Sequence, residues 1–452
     1  MTALARSSVS ALRDRVRRSR GVVAACLTGL ALRLAWAAYA ARPPQGLHDP
    51  VRYLLYGQSI AAGHGYRDPF SGQFTSYYPP GYPWFVGAVT WVTKHVVHIG
   101  VPRAVAIAQA LLGAALIVLV GYVAHRIAGP RAAVVAAWLV ALWPSLVMYG
   151  ALVLSETLAM TLLVAAVAVL VRRPWREGIP RVDLLVFGAL LGLSALVRPQ
   201  VLGVLVAAVV VWWLVTRDVR ATLARAGWAA LAVAVVLAPW FGRNANRMGL
   251  FVLSTNTADD LCIGHNDQAN GGFLLLEYCA TESPAQGLDA EVRHYHHNLD
   301  NALSWIPHHP GRELQLLPER AWHLMGDDGG AVSDTQSYGE DPFLDARVAT
   351  SLSAIANAWY ATVMVCAVGG AYVSATRRRP EAFFLVLAVT AVLVLPLAFF
   401  GDVRFKAPAF PMIAVLASVA IVRVWDGLSP ARTARPAGAT TSRRWRWRRR
   451  RA

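Results

Sequence analysis

Apolar residues in this chain come in long blocks, one after another from residue 21 to residue 424, and that patterning admits little besides helices crossing a bilayer. About twenty apolar residues in a helix span the ~30 Å of hydrocarbon. A water-soluble chain of 452 residues would not combine 56% hydrophobic residues with only 15% charged ones. Lipid therefore replaces the water-driven core.

The blocks place crossings at 21–40, 103–124, 132–148, 153–171, 184–198, 201–215, 226–241, 352–374, 382–400 and 407–424. The stretch 81–97 opens with prolines and carries Lys94, His95 and His98 nearby. It reads as an interfacial or re-entrant helix rather than a crossing. The expected fold is an all-α polytopic membrane protein of about ten transmembrane helices, with outer juxtamembrane helices and one large extracytoplasmic loop.

Charge bears on the count, because Arg and Lys flanking crossings favour the cytoplasm. Residues 1–20 hold Arg6, Arg13, Arg15, Arg17, Arg18 and Arg20. With that end inside, ten crossings return the C-terminus, RRWRWRRRRA, to the same side. The inner loops then receive Arg126 and Arg131, the cluster Arg172, Arg173, Arg176 and Arg181, then Arg217, Arg220 and Arg225, and finally Arg377, Arg378 and Arg379. Counting 81–97 as a crossing would put the later clusters outside. The expected organisation is a basic cytoplasmic N-terminus (1–20), a membrane domain (21–425) with outer loops 41–102 and 242–351, and a disordered basic cytoplasmic tail (426–452). The first apolar run ends near AYAA, but it is long and contains Arg33, so it reads as an uncleaved helix rather than a signal peptide. The net charge of +17 sits mostly in the tails. It marks topology and contact with anionic membrane lipids, not nucleic acid.

The 242–351 segment holds sixteen of the 26 acidic residues. A helix is expected near 311–325, where Leu314, Leu317, Ala321 and Leu324 make one apolar face, lying on the outer membrane surface or capping the bundle. Cys262 and Cys279 lie seventeen residues apart in this segment, in a compartment that permits a disulfide between them. Cys26 and Cys366 fall in membrane helices. No Cys/His spacing suggests a structural zinc, and neither a divalent metal nor another cofactor is implied.

With this topology the polar residues near the crossings gather at the outer face. They are His48 and Asp49, Asp68, the run Tyr77–Pro83 with Tyr78, then Ser155 and Glu156, Arg198, Arg243, and the last turn with Asp402, Arg404 and Lys406. Arg404 and Lys406 break the positive-inside pattern. Cations there suit an anionic lipid headgroup, or they snorkel. Arg33 and Glu156 lie within the hydrocarbon zone, where a lone charge costs at least ~2.5 kcal/mol. Either they neutralise each other or they line a substrate cavity.

Eight segments, in order along residues 24–415, then carry a resemblance: HDPVRYLLYGQSIAAGHGY, YYPPGYPWF, YGALVLSETL, SALVRPQ, APWFGRNANRMGLFVLSTN, NDQANGGF, WIPHHPGRELQLLPERAW and GDVRFKAPAFP. The chain resembles the polyprenyl-phosphate-dependent C-superfamily of membrane glycosyltransferases, which includes protein O-mannosyltransferases and the aminoarabinose transferases of lipid A. The resemblance implies a polyprenyl-phosphate sugar donor and a catalytic carboxylate in the first outer loop, at Asp49. Many relatives carry a second acid after it, where this chain has Pro50; Asp68 is the reserve. It also implies that a loop helix and outer arginines hold the donor phosphate.

The chemistry is coherent without the name. Transfer from a lipid phosphate needs an acceptor hydroxyl in line with the anomeric carbon, a base for its proton, and positive charge for the departing phosphate. Asp49 fits the base. Arg198, Arg243, Arg404 and Lys406 are candidates for the phosphate, and His48, Asp68, Tyr78 and Glu156 are further substrate-site candidates. Direct attack would invert the anomeric configuration. The acceptor class is an envelope glycan, lipid or protein at a plasma membrane; the Ala, Val and Arg richness suits a high-GC bacterium. A transporter or lipid flippase is the rival reading, and a non-catalytic scaffold a third. Transporters tend to carry internal repeats and helices broken at mid-membrane, whereas the charged motifs here collect at one face.

Overall fold

The computed structural model describes residues 3–46, 48–279, 286–376 and 379–428. The C-terminal tail from residue 429, together with Arg377 and Arg378, lies outside them. Among the described residues the only β pairing is one isolated bridge, Arg67 to Phe74.

The helices run in order α1 (Ala3–Ala40), α2 (Asp49–Ala61), α3 (Gly81–Val92), α4 (Val101–Ala128), α5 (Pro130–Ala141), α6 (Pro144–Tyr149), α7 (Glu156–Leu170), α8 (Arg181–Ala195), α9 (Gly203–Thr216) and α10 (Val219–Met248). Then follow α11 (Asn256–Gly264), α12 (Leu288–His308), α13 (Pro310–Met325), α14 (Gly330–Thr335), α15 (Ala346–Thr376), α16 (Pro380–Val394) and α17 (Phe410–Leu428). Among the described residues, seven helical stretches are long and apolar enough to cross a membrane: 20–40, 101–128, 199–216, 219–248, 346–376, 380–398 and 407–428. Two more apolar helices, α5 and α7, are shorter. The chain is thus an all-α polytopic membrane protein. Each span read from the sequence falls mainly on helical residues, with 132–148 divided between α5 and α6 and the ends of 153–171, 184–198 and 382–400 running past their helices. The stretch 81–97 is α3 plus a π turn, Thr93–Val97, closed by His98 at φ 57°. The first helix begins at Ala3 and runs through the segment expected to be a separate basic tail.

Local chemistry sets several boundaries. Pro130, Pro144, Pro310 and Pro380 open helices, where a missing N–H costs nothing and φ is already helical. Gly249, at φ 70°, closes α10, and the Asp218 side chain caps its start by accepting from the Arg220 and Ala221 amides. The pairs α15–α17, α8–α10, α4–α5 and α1–α4 pack most extensively. Gly188 and Gly370 allow two of these approaches: a Cβ there would sit 2.2 Å from the Ala229 carbonyl oxygen or 1.8 Å from that of Leu416.

Arg33 does not neutralise Glu156. It is buried and donates to the carbonyls of Gly29 (3.1 Å), Val140 (3.1 Å) and Ala141 (3.2 Å). The reason is Pro144, which has no N–H to offer the Val140 carbonyl, so the break between α5 and α6 is satisfied from α1.

The helix near 311–325 forms as α13, but a different face turns inward. Leu316, Arg320 and Leu324 are buried, while Leu314 and Leu317 are exposed. Arg320 decides this. Its guanidinium reaches the Gly264 carbonyl at 2.8 Å, the Leu397 carbonyl at 3.2 Å and Glu313 at 3.0 Å, satisfying loop groups that a leucine could not.

Candidate functional site

The residues named from the outer-face motifs come together at one end of the bundle. His48 is extended and precedes α2, so Asp49 opens that helix with Pro50 behind it. A carboxylate in a first helical turn is favoured by the exposed amides there. The run from Ser76 to Tyr78 is clamped beside it. The Thr255 amide donates to the Ser76 carbonyl (3.0 Å), the Asn256 amide to that of Tyr77 (3.2 Å), and the Gly81 amide to that of Leu196 (2.8 Å). Tyr78 then donates its hydroxyl to Asp49 Oδ1 at 2.7 Å. Its ring lies 4.8 Å from that of Tyr53 and 6.2 Å from that of Tyr56, in a tyrosine cluster beneath α2.

Arg404 joins the separate elements. Its Nη1 donates to Asp49 Oδ2 at 3.0 Å, and its Nε donates to Glu156 Oε1 at 2.8 Å. The same Nη1 reaches the Tyr338 hydroxyl. Glu156 Oε1 also accepts from Arg198, whose Nε donates to Ser155 Oγ at 3.0 Å. Two guanidinium groups and two carboxylates thus form one network, buried except at Asp49, whose side chain is 33% exposed, with α2, the start of α7, the end of α8 and the 401–406 turn each contributing a member. Burial alone would raise the Asp49 pKa. Arg404, the Tyr78 hydroxyl and Arg198 outweigh it and hold the carboxyl below its ordinary range. Tyr338 keeps its place at a backbone cost, with φ at 59° next to Ser337 at 49°. Its ring packs 4.6 Å from His48, which pairs with Glu340 at 2.9 Å.

Three other named residues stand outside this network. Asp68 is buried and spends Oδ1 on the amides of Phe70 (3.0 Å) and Ser71 (2.8 Å), so it shapes the 68–73 turn and does not stand with Asp49. Arg243 donates to the carbonyls of Thr75 (2.6 Å) and Tyr66 (2.8 Å) and stacks on Trp240, so it braces the first loop. Lys406 does not accompany Arg404. The Phe405 amide bonds the Asp402 carbonyl (3.0 Å) and the Ala407 amide that of Arg404 (3.1 Å), and this tight turn points the two side chains apart. Lys406 is fully buried, bonds the Asp327 carbonyl and lies 4.7 Å from the Tyr360 ring centre. Cys262 and Cys279 form a disulfide that ties α11 to the 277–279 turn.

Sequence reasoning missed Tyr338, Asp260 and Asp334. All lie in the 242–351 segment, whose acid density was visible but whose fold was not. Asp260, on α11, has its pKa raised well above the ordinary value by burial and by Asp259 and Asp49, against the opposing effect of Arg198. Asp334 is pushed up to about 7 by burial, with Arg404 opposing and Asp402, Glu156 and Asp49 adding to the rise.

Residues 78–241 match the family model of dolichyl-phosphate-mannose-protein mannosyltransferase. Among solved structures, the chain is similar to the archaeal oligosaccharyltransferase AglB from Archaeoglobus fulgidus in complex with an inhibitory peptide and a dolichol-phosphate. That match has 16% identity and a TM-score of 0.55, over 92% of this chain and 51% of that one. The A. fulgidus oligosaccharyltransferase tethered to an acceptor peptide matches at 15% identity and a TM-score of 0.54, over 91% and 50%. ArnT from Cupriavidus metallidurans bound to undecaprenyl phosphate matches at 16% identity and a TM-score of 0.44, over 90% and 78%. No curated protein sequence matches the chain. The chain spans about half the length of the oligosaccharyltransferase. At these identities the structural likeness is one of fold. The family match, over residues 78–241, bears out the resemblance to polyprenyl-phosphate-dependent membrane glycosyltransferases.

Proposed function

We propose that this chain is an inverting glycosyltransferase that moves a sugar from a polyprenyl phosphate to an acceptor hydroxyl of an envelope glycan, lipid or protein, with Asp49 as general base. In this reading the site faces the extracytoplasmic side of a plasma membrane and both termini lie in the cytoplasm. The observation that carries it is the Arg404 fork, shared between Asp49 and Glu156 where four chain segments meet.

A guanidinium is the side chain that best matches two phosphate oxygens at once. Arg404 is already bound to carboxylates, so an arriving phosphate competes with Asp49 for it. Losing Arg404 raises the proton affinity of Asp49, which makes that carboxylate a better base once the donor is bound. Arg198 keeps hold of Glu156 meanwhile, so that buried carboxylate is not left unpaired. As the acceptor oxygen bonds to the anomeric carbon, the sugar–phosphate bond breaks, Asp49 takes the hydroxyl proton, and Arg404 and Arg198 meet the charge on the departing phosphate. The prenyl chain lies along the lipid-facing bundle.

Asp49→Asn tests the assignment in reconstituted protein supplied with a polyprenyl-phosphate sugar. Loss of a general base lowers turnover by roughly 10²–10⁴-fold, with donor binding retained. Near-normal turnover would overturn the role of Asp49 and transfer it to Asp260 or Asp334, since Asp68 is committed to its turn.

A further inference from the structure

The network around Arg404 leaves three polar atoms with nothing to bond. Glu156 presents Oε1 to both arginines, yet its Oε2 is buried without a partner. Asp334 Oδ2 and the Tyr149 hydroxyl are buried and unpartnered as well. All three side chains are nine-tenths or more enclosed: Asp334 is 7% exposed, Tyr149 1% and Glu156 0%. They are also neighbours. The short helix α14, which carries Asp334, packs on α6, which ends in Tyr149. Asp334 feels the charges of Arg404, Asp402, Glu156 and Asp49, and Tyr149 those of Asp334, Asp328, Glu156 and Arg404.

Folded proteins leave only a few such atoms unsatisfied per hundred residues, and three of those in this chain gather here. Three around one arginine mark a place built to be completed by a ligand. We propose that Asp334, Tyr149 and Oε2 of Glu156 form a polar subsite for the hydroxyl groups of the donor's sugar, adjoining the phosphate position at Arg404. The proposal rests on the donor reading above and deepens it.

The chemistry of the three groups selects the ligand class. Two carboxyl groups repel a phosphate, so this is not a second anion site. The three unpartnered groups are polar and call for hydrogen bonds, which a prenyl chain cannot supply. Neighbouring sugar hydroxyls each bring a donor and an acceptor, which is what two carboxyl groups and a phenol can pair with. The position is also right, because a phosphate on Arg404 carries its sugar on the next atom. Asp334, whose proton affinity is raised to about 7, can accept from a hydroxyl when ionised and donate to one when protonated.

Binding of dolichyl phosphate, and of dolichyl phosphates bearing mannose, glucose or arabinose, to the full chain in lipid nanodiscs tests this. Wild-type protein is expected to bind at least one sugar-bearing lipid more tightly than dolichyl phosphate itself. Asp334→Asn keeps the side-chain shape and Tyr149→Phe removes a single hydroxyl. Each is expected to weaken the favoured sugar lipid by roughly tenfold while leaving dolichyl phosphate within about twofold of wild type. The subsite is overturned if the sugar increment survives in both variants, or if no sugar lipid exceeds dolichyl phosphate in the wild type. Failure of dolichyl phosphate itself to bind the wild type would sink the donor reading, and the subsite with it.

Discussion

Arg404 has three hydrogen-bonding partners, Asp49, Glu156 and Tyr338, and no other described side chain ties the first loop to both the fourth apolar block and the last turn. Arg404→Lys keeps the charge and loses the fork. A lysine ammonium is one point charge on a flexible stem and cannot hold both carboxylates in this geometry. The transfer rate against donor concentration should fall roughly 10- to 100-fold in kcat/KM, with the loss weighted toward high donor KM. A curve that stays at wild type in both Arg404→Lys and Arg404→Ala would move the phosphate to Arg198. Acidity gives a second prediction at this scale. Asp334 titrates near 7 in the folded chain against an ordinary 3.8, so the folded state binds more protons than the unfolded one between those values. Its contribution is therefore full below about pH 4 and lost as the pH rises through 7. Asp260 and Asp328 have raised values too and act in the same direction. The melting temperature should decline from pH 4.5 to 7.5, roughly one proton's worth less steeply in Asp334→Asn. An unchanged slope would show that Asp334 is not held at that value.

At the scale of the element, the outer segment is organised by polar anchors more than by apolar faces. The bridge between Cys262 and Cys279 holds α11, and α11 carries both the amide that clamps Tyr77 and Asp259, which accepts from the Tyr77 hydroxyl at 2.7 Å. Replacing both cysteines by serine should cost about 3 kcal/mol, the scale for a loop of this size, and should loosen the first loop, read as faster hydrogen exchange at 76–82. Labelling of denatured, unreduced wild type should find Cys26 and Cys366 free and neither loop cysteine reactive. α13 shows where pattern reading stops. Leu314 and Leu317 did mark an apolar face, but Arg320 turned the adjoining face, which shares Leu324, inward, because its charged fork satisfies the Gly264 and Leu397 carbonyls. A periodicity argument weighs apolar residues and has no term for orphaned carbonyls elsewhere in the chain. The α5–α6 break follows the same rule: Pro144 was visible in the sequence, but not that α1 would supply the missing donor.

Across the whole molecule, the site end and the arginine-rich end are separated by the length of a helix. Glu156 begins α7, and Arg172 and Arg173 follow its end. There Arg126, Arg173, Arg176 and Arg379, with Glu381, line a groove of about 650 Å³. The proposed topology puts this groove in the cytoplasm and Asp49 outside. A membrane-impermeant thiol reagent added to intact cells should therefore label Arg176→Cys only after permeabilisation, and Asp289→Cys before it. Labelling of both from outside, or of neither, would overturn the orientation.

The sequence alone determined that the chain spans a membrane with helices, because the hydrocarbon thickness and the satisfaction of every backbone group leave no other solution for apolar blocks of this length. It also brought out His48, Asp49, Tyr78, Glu156, Arg198 and Arg404, since charges and tyrosines beside apolar blocks are conspicuous against lipid. Their pairing belonged to the tertiary structure. Arg33 and Glu156 were candidates to neutralise each other, but each found a distant partner instead, 107 residues away in sequence for the Val140 carbonyl and 248 for Arg404. Arg404 and Lys406 looked alike until one tight turn sent them to different sites. Asp334 had no signal at all, because a carboxylate in an acidic loop becomes distinctive only when folding removes its water and sets it beside Arg404.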